Sequence, residues 1–429
     1  MDRLIVRGGR RLEGALRVQG AKNAALPILA ATVLANDVCI LHDVPDLEDI
    51  HVMVAILQTL GAKVRVDEKT VIIDPRTITS TEIPEHLMRK MRSSIFLMGP
   101  LLAKFSRVRI SMPGGCSIGS RPIDLHRKGL WQLGATIVDE HGFIECTASQ
   151  LCGAMVCLDF PSVGATENLM MAAVLAKGET VITNAAREPE IKELARFLTL
   201  LGAKIRGAGE DTMIIEGVPT LRSAEIEIAP DRIVTGTMMI AAAMTQGHIE
   251  IENTRPHELH ALIGKLREAG VQVRIDRDII EVKRLGAINA IDRIQTAPHP
   301  GFPTDLQAPM MALLSMAKGT SIIAETIFED RFQHVSELQR MGAMIKLDLR
   351  TAFVQGVPRL SGAIVEATDL RAGAALVLAG LAASGTTIVD RVDHIDRGYE
   401  SLEKQLRQLG ANVIRLHAKK EKERTLAQV

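Results

Sequence analysis

LQTLGAKV, residues 57–64, is the first of six near-copies of one phrase, and those copies decide the fold. The others read LWQLGATI at 130–137, LTLLGAKI at 198–205, LREAGVQV at 266–273, LQRMGAMI at 338–345 and LRQLGANV at 406–413. Their glycines, Gly61, Gly134, Gly202, Gly270, Gly342 and Gly410, are spaced by 73, 68, 68, 72 and 68 residues. Recurrence at a fixed period marks a chain assembled from copies of one supersecondary unit, and six units of about 70 residues fill all 429. In each copy an apolar-periodic stretch runs into the glycine and alternating residues follow. That pattern predicts a helix stopped at a left-handed glycine, where the missing Cβ removes the steric cost of positive φ, and then a strand.

Upstream in each unit lies a second helix candidate, rich in Ala, Leu and Met: Ala24–Leu34, Ser93–Phe105, Ala165–Ala176, Val234–Met244, Leu306–Ala317 and Ala372–Ala383. These have little polar face and belong in an interior, whereas the glycine-ended helices carry charges and face water. A short strand and loop follow each apolar helix. Turn residues before it, as in IIEGVPTLRSAEIEIAPD (214–231) and FVQGVPRLSGAIVEATD (353–369), predict a β-hairpin. The expected class is α/β (α+β), two domains of three repeats with buried helices inside and sheets outside, dividing near Pro230. From the repeats alone two readings stand, a scaffold that binds partners through its sheets and an enzyme whose loops carry the chemistry.

Composition narrows the classes. Lys+Arg and Asp+Glu are both 51, so nothing marks a polyanion binder, and 3% aromatics with one Trp (Trp131) and one Tyr (Tyr399) argue against base-stacking nucleic-acid platforms. No nucleic-acid partner is expected. The N-terminus MDRLIVRGGRRLEG has no signal-peptide apolar region, and no run reaches the ~18 apolar residues of a membrane span, so a soluble cytoplasmic protein without a membrane partner is expected. Five cysteines without a C-x-x-C pair, and histidines without metal-ligand spacing, call for no metal and read as reduced thiols. No G-x-x-x-x-G-K-[ST] or G-x-G-x-x-G is present, and no cofactor is implied. Oligomeric state stays open, with a monomer compatible. The charged end Lys419–Val429 reads as a solvated tail.

The least ordinary stretch is MPGGCSIGSRPIDLHR, 112–127. Its glycines and prolines forbid regular structure and suggest a loop that carries function. On it sit Cys116 and Arg121, and a thiol near cations in such a loop is more acidic and reactive than a packed one, although a small apolar filler is the other reading of Cys116 alone. Cys39, Cys146, Cys152 and Cys157 lie in strand-like apolar surroundings and read as packing residues. Lys22 and Asn23 stand where the first apolar helix begins, where a cation and free helix N–H groups suit an anion. Arg92, Asp305 and Arg371 open other apolar helices, and Arg331 and Arg397 sit on loops of the fifth and sixth units. Repeat-equivalent positions bring these cations together around a substrate with several negative charges, with one thiol and one carboxylate beside them.

The chain resembles the enolpyruvyl transferases that act on UDP-N-acetylglucosamine. The resemblance runs from about residue 3 to 416 and rests on GAKNAALPI (20–28), PGGCSIGSRPIDLH (113–126), SVGAT (162–166), AAREPE (185–190), APHPGFPTD (297–305), ATDLRA (367–372) and HIDRGYE (394–400). It implies two inside-out α/β barrel domains, 22–230 and 1–21 with 231–418, the tail 419–429 lying outside both. It also implies transfer of the enolpyruvyl group of phosphoenolpyruvate to the sugar 3′-hydroxyl, the first committed step of peptidoglycan synthesis, and alkylation of Cys116 by fosfomycin. In the catalytic roles it places Cys116 as general acid, Asp305 as base, and Lys22 and Arg397, with Arg121, on the phosphate. Arg331 and Arg371 match the residues around the substrate carboxylate. Asn23, Arg92, Arg121, Pro122, Ile123, Asp124, Leu125, Ser162, Val163, Gly164, Asp305 and Ile327 match positions that touch the UDP-sugar.

Overall fold

All six repeat glycines are left-handed, with φ of 109° at Gly61, 96° at Gly134, 109° at Gly202, 88° at Gly270, 91° at Gly342 and 93° at Gly410. Each ends a helix that feeds a strand. At the first, the N–H of Gly61 reaches the Gln58 carbonyl and that of Ala62 the Leu57 carbonyl, so the last turn closes its own orphan carbonyls. The computed structural model describes residues 2–112, 114, 118–119 and 123–417. Cys116, Arg121, Pro122 and the expected tail 419–429 lie outside the described residues.

The chain forms two compact units. Of the described residues, the inserted unit holds 20–112, 114 and 123–229, and the flanking unit holds 2–19, 118–119 and 230–417. The inserted unit holds core helices α1 (Lys22–Ala31), α2 (Met98–Phe105) and α3 (Val163–Ala173). The flanking unit holds α4 (Arg232–Met244), α5 (Gln307–Leu314) and α6 (Leu370–Ala382). Burial is all-round: every residue of α4 except Arg232 is buried, and α6 is buried from Arg371 to Leu381. The surface helix His260–Glu268 instead buries only Leu262, Ile263 and Leu266. Each unit has its own aliphatic core, and the lone Trp131 is 67% exposed.

Among the described residues there are five four-stranded sheets and one three-stranded sheet, three sheets to a unit. In the fifth repeat, Arg293–Gln295 pairs parallel with Thr320–Ala324, and α5 is the crossover between them. Thr320–Ala324 pairs antiparallel with Thr351–Gln355, which pairs in turn with Met344–Asp348. The three-stranded sheet has only a single Glu82–Arg109 bridge where the others carry a fourth strand. The N-terminal strand Arg3–Arg7 sits between Thr386–Asp390 and Asn412–Leu416, and Glu13–Arg17 runs parallel to His248–Glu252. The first 17 residues thus complete two sheets of the flanking unit.

The hairpins expected at 214–231 and 353–369 are not formed. Thr351–Gln355 and Ile364–Glu366 belong to different sheets, as do Thr212–Glu216 and Glu225–Glu227. The G-V-P segments are corners between sheets. The N–H of Gly356 bonds to the Gly319 carbonyl and that of Val357 to the Ser315 carbonyl, so the end of a core helix takes the backbone groups a hairpin would need. A Cβ at Gly356 would lie 1.6 Å from the Ala317 carbonyl oxygen, and one at Gly217 equally close to that of Ala176, so only glycine turns these corners. Cys39 and Cys146 are buried as expected, whereas Cys152 and Cys157 are exposed. Cys157 lies on the edge strand Met155–Cys157, whose alternate residues point outward.

Candidate functional site

In the flanking unit the candidate residues gather at the N-terminal ends of the core helices. Asp231 caps α4 by accepting from the N–H groups of Ile233 (2.8 Å) and Val234 (3.0 Å). Asp369 caps α6 from Arg371 (2.7 Å) and Ala372 (3.1 Å). The α6 cap fixes the backbone of Arg371, whose buried guanidinium donates through Nη2 to Asp305 Oδ2 at 3.1 Å and lies 5.3 Å from the Tyr399 ring centroid. Buried Arg331 donates through Nη2 to Asp305 Oδ1 at 2.8 Å. One carboxylate is therefore held between two guanidinia from different repeats. Burial pushes the Asp305 carboxyl up, but Arg371 and Arg331 outweigh it and hold the group well below the usual carboxylate range. Nε and Nη1 of Arg371 are buried, and the Tyr399 side chain beside them shares in stabilising the guanidinium charge.

Beside this clamp lies Glu325, a residue the sequence reading passed over. Its buried carboxylate accepts from Thr296 Oγ1 (2.9 Å), Thr304 Oγ1 (2.9 Å) and the N–H groups of Ile327 (2.8 Å) and Phe328 (3.2 Å). Four donors on one carboxylate tie the segment carrying Asp305 to the loop carrying Ile327. Ile327 and Arg397 are both half-buried.

His334, three residues beyond Arg331, is buried. Burial pushes its imidazole down to about 4, Asp369 opposing the fall and Arg331 adding to it. A folded-state value below the ordinary ~6.5 means that the unfolded chain takes up this proton first as pH falls. Stability should therefore decline between about pH 6.5 and the folded-state value, and the decline from this group should stop below it. Urea midpoints measured across that range should fall for the wild type, and His334→Gln should flatten the curve.

In the inserted unit, α1 begins at Lys22 with no side-chain cap, and Asn23 follows it half-buried. Lys22 is buried and its Nζ pairs with Asp49 Oδ2 at 2.6 Å, so the cation read as open to an anion is shared with a carboxylate of the helix Glu48–Leu60. Ser162 caps α3 through the N–H of Ala165 (3.3 Å), with Val163 and Gly164 forming the first turn. A Cβ at Gly164 would come within 3.3 Å of His126 Cε1, so the turn packs tightly on that ring. Asn168 Oδ1 accepts from the N–H of Gly99 (2.7 Å), which orients its amide. Its Nδ2 then donates to the Ile95 carbonyl (2.8 Å) and to His126 Nδ1 (2.9 Å), which leaves the ring proton on Nε2 in the neutral form. This cluster joins the start of α3, the helix Asp124–Gln132 and the Arg92–Leu97 turn, and with them Ile123, Asp124, Leu125 and Arg92. The sequence signal for this cluster is the polar run Thr166-Glu167-Asn168 inside a helix whose remaining residues are apolar or small.

These features define a two-unit, six-repeat α/β fold with charged side chains gathered at the starts of its core helices, and known proteins share it. The family model described as EPSP synthase (3-phosphoshikimate 1-carboxyvinyltransferase) matches residues 6–406, and the chain belongs to that family. Within it, a UDP-N-acetylglucosamine 1-carboxyvinyltransferase 2 of Carboxydothermus hydrogenoformans is 54% identical over 418 residues, covering 97% of this chain and all of its own. UDP-N-acetylglucosamine 1-carboxyvinyltransferase of Magnetococcus marinus is 53% identical with the same coverage. Among solved structures, the enolpyruvyl transferase NikO of Streptomyces tendae superposes with a TM-score of 0.87 at 26% identity, over 97% of this chain and 99% of its own. EPSP synthase of Acinetobacter baumannii, at 18% identity and a TM-score of 0.75, shares the fold.

Proposed function

We propose that the chain is a UDP-N-acetylglucosamine 1-carboxyvinyltransferase. It transfers the enolpyruvyl group of phosphoenolpyruvate to the sugar 3′-hydroxyl and releases phosphate, in the cytoplasmic phase of peptidoglycan synthesis. The observation that carries this reading is the full-length match to relatives of that name. The Asp305 clamp supports it, because two buried guanidinia that grip one carboxylate are chemically suited to grip a substrate carboxylate.

In the reaction Cys116 delivers a proton to C3 of phosphoenolpyruvate while the sugar hydroxyl oxygen attacks C2 and its proton passes to Asp305. C3 then returns a proton to the Cys116 thiolate left by the first step, the double bond re-forms, and the bond from C2 to the phosphate oxygen breaks, its electron pair leaving on phosphate. Lys22, Arg121 and Arg397 hold the phosphate, and Arg331 and Arg371 the carboxylate. Asn23, Arg92, the stretch from Arg121 to Leu125, Ser162–Gly164 and Ile327 receive the UDP-sugar. Phosphate release should require both phosphoenolpyruvate and UDP-N-acetylglucosamine and should persist in chelator. Turnover with shikimate 3-phosphate in place of the UDP-sugar would reassign the acceptor.

Glu325 serves this reaction as a positioning residue. Glu325→Gln keeps the shape but turns one acceptor into a donor facing other donors, which loosens the Ile327 loop. The expected result is a KM for the UDP-sugar about tenfold higher, a smaller change in kcat and little change in the phosphoenolpyruvate KM. Equal effects on both substrates would mark Glu325 as merely structural.

A further inference from the structure

The flanking unit contains a second cationic feature, at the opposite end of its core helices from Asp305. A cavity of about 860 Å³ opens where α4, α5 and α6 end. At 1.5 Å rise per residue, the 13 residues of α4 set it roughly 20 Å from the helix starts. It is lined by equivalent corners of all three repeats: 8–11, then 284, 287 and 288, and 356–359, together with the helix exits at 244–246, 316–319 and 381–385. Among the described residues five cations line it, Arg10, Arg11, Arg284, Lys318 and Arg359, and no acidic residue does. In a chain with equal numbers of acids and bases, that is a local excess of five.

Capping of the helix ends accounts for only part of this excess. Each helix C-terminus contributes about half a negative charge, so three ends offset between one and two cations. Arg284 alone takes up that role. It is buried, and its guanidinium donates to the carbonyls of Ala243, Met244 and Gly286. Arg10, Arg11, Lys318 and Arg359 remain exposed, and among the described residues no ion pair ties them down. Burial pushes the Arg284 guanidinium down and Arg11 adds to it, so the empty cavity carries unrelieved like-charge repulsion.

We propose that this cavity binds a small anion bearing two or more phosphate groups. Its volume lies within the range of small-molecule sites. Guanidinia from the first and third of its corner sets grip separate phosphates. Among the described residues the lining has no aromatic side chain to stack on a base, so recognition is of the phosphates rather than of a ring. The proposal does not rest on the enzymatic reading, and its test reads binding rather than turnover.

The probe is inorganic tripolyphosphate, titrated calorimetrically into the full chain at low salt. Three proteins are compared: wild type, the double variant Arg11→Ala/Arg359→Ala, and Arg397→Ala, which alters the proposed phosphate group of the reaction site. Both altered positions of the double variant are exposed, so its fold should survive, as circular dichroism would verify. Binding weakened at least tenfold in the double variant and kept in Arg397→Ala is the expected result. Loss confined to Arg397→Ala, or no binding to the wild type, would overturn the proposal.

Discussion

Asp305→Asn should lose at least a hundredfold in kcat, because it removes the proposed proton acceptor while keeping a side chain of the same shape between Arg331 and Arg371. General bases contribute about 10²–10⁴ in rate. The clamp also explains how so weak a base can work. With two guanidinia on its oxygens the carboxyl is held far below the pH at which a base is most effective. A substrate carboxylate drawing on Arg331 and Arg371 would compete for those same groups, so Asp305 would gain basicity when its partners are taken over. Asp305→Ala should lose stability too, and more than the Asn variant, which is also neutral but keeps one acceptor oxygen for a guanidinium. It leaves two buried cations without their counter-ion, a change that costs about 3–5 kcal/mol for a fully buried pair, and the lower figure applies here because the Asp305 side chain is 25% exposed. Urea unfolding separates the two effects. An Asn variant with turnover within a few-fold of wild type would end the assignment of Asp305 as base.

The repeat phrase made the core legible because its message is local. A glycine that must take positive φ after an apolar helix says where the helix stops without reference to anything distant, and all six do. The corners failed for the opposite reason. FVQGVPRLSGAIVEATD carries hairpin punctuation, but what Gly356 and Val357 bond to is the exit of a helix some 40 residues upstream, and no local pattern announces that. Lys22 shows the same limit: a lysine at a helix start reads as an open cation until the fold brings Asp49 to it. Glu325 sits at the end of a strand, where a lone acid reads as surface, and its four donors come from three separated segments. What was legible of the site was therefore the identity of the charged residues, and what was not was which of them neutralise one another.

Cys116→Ser should lose 10²–10⁴ in kcat, whereas Cys116→Asp should retain activity within about tenfold at its best pH. A thiol titrates near 8.5 and is still an acid at neutral pH, while a serine hydroxyl is too weak an acid to protonate a carbon centre in the same step. A carboxylic acid can donate, provided it is protonated, and with an ordinary value near 3.9 it is so only toward acid pH. The two active forms should therefore differ in a specific way: the optimum of the Asp variant moves down in pH relative to wild type, following the fraction of protonated carboxyl. Mass spectrometry after incubation with phosphoenolpyruvate and UDP-sugar should find an adduct on the wild-type thiol and none on the serine. The same pH optimum in both active forms would mean that residue 116 is not the proton donor, and full turnover in the Ser variant would remove the thiol from the chemistry altogether.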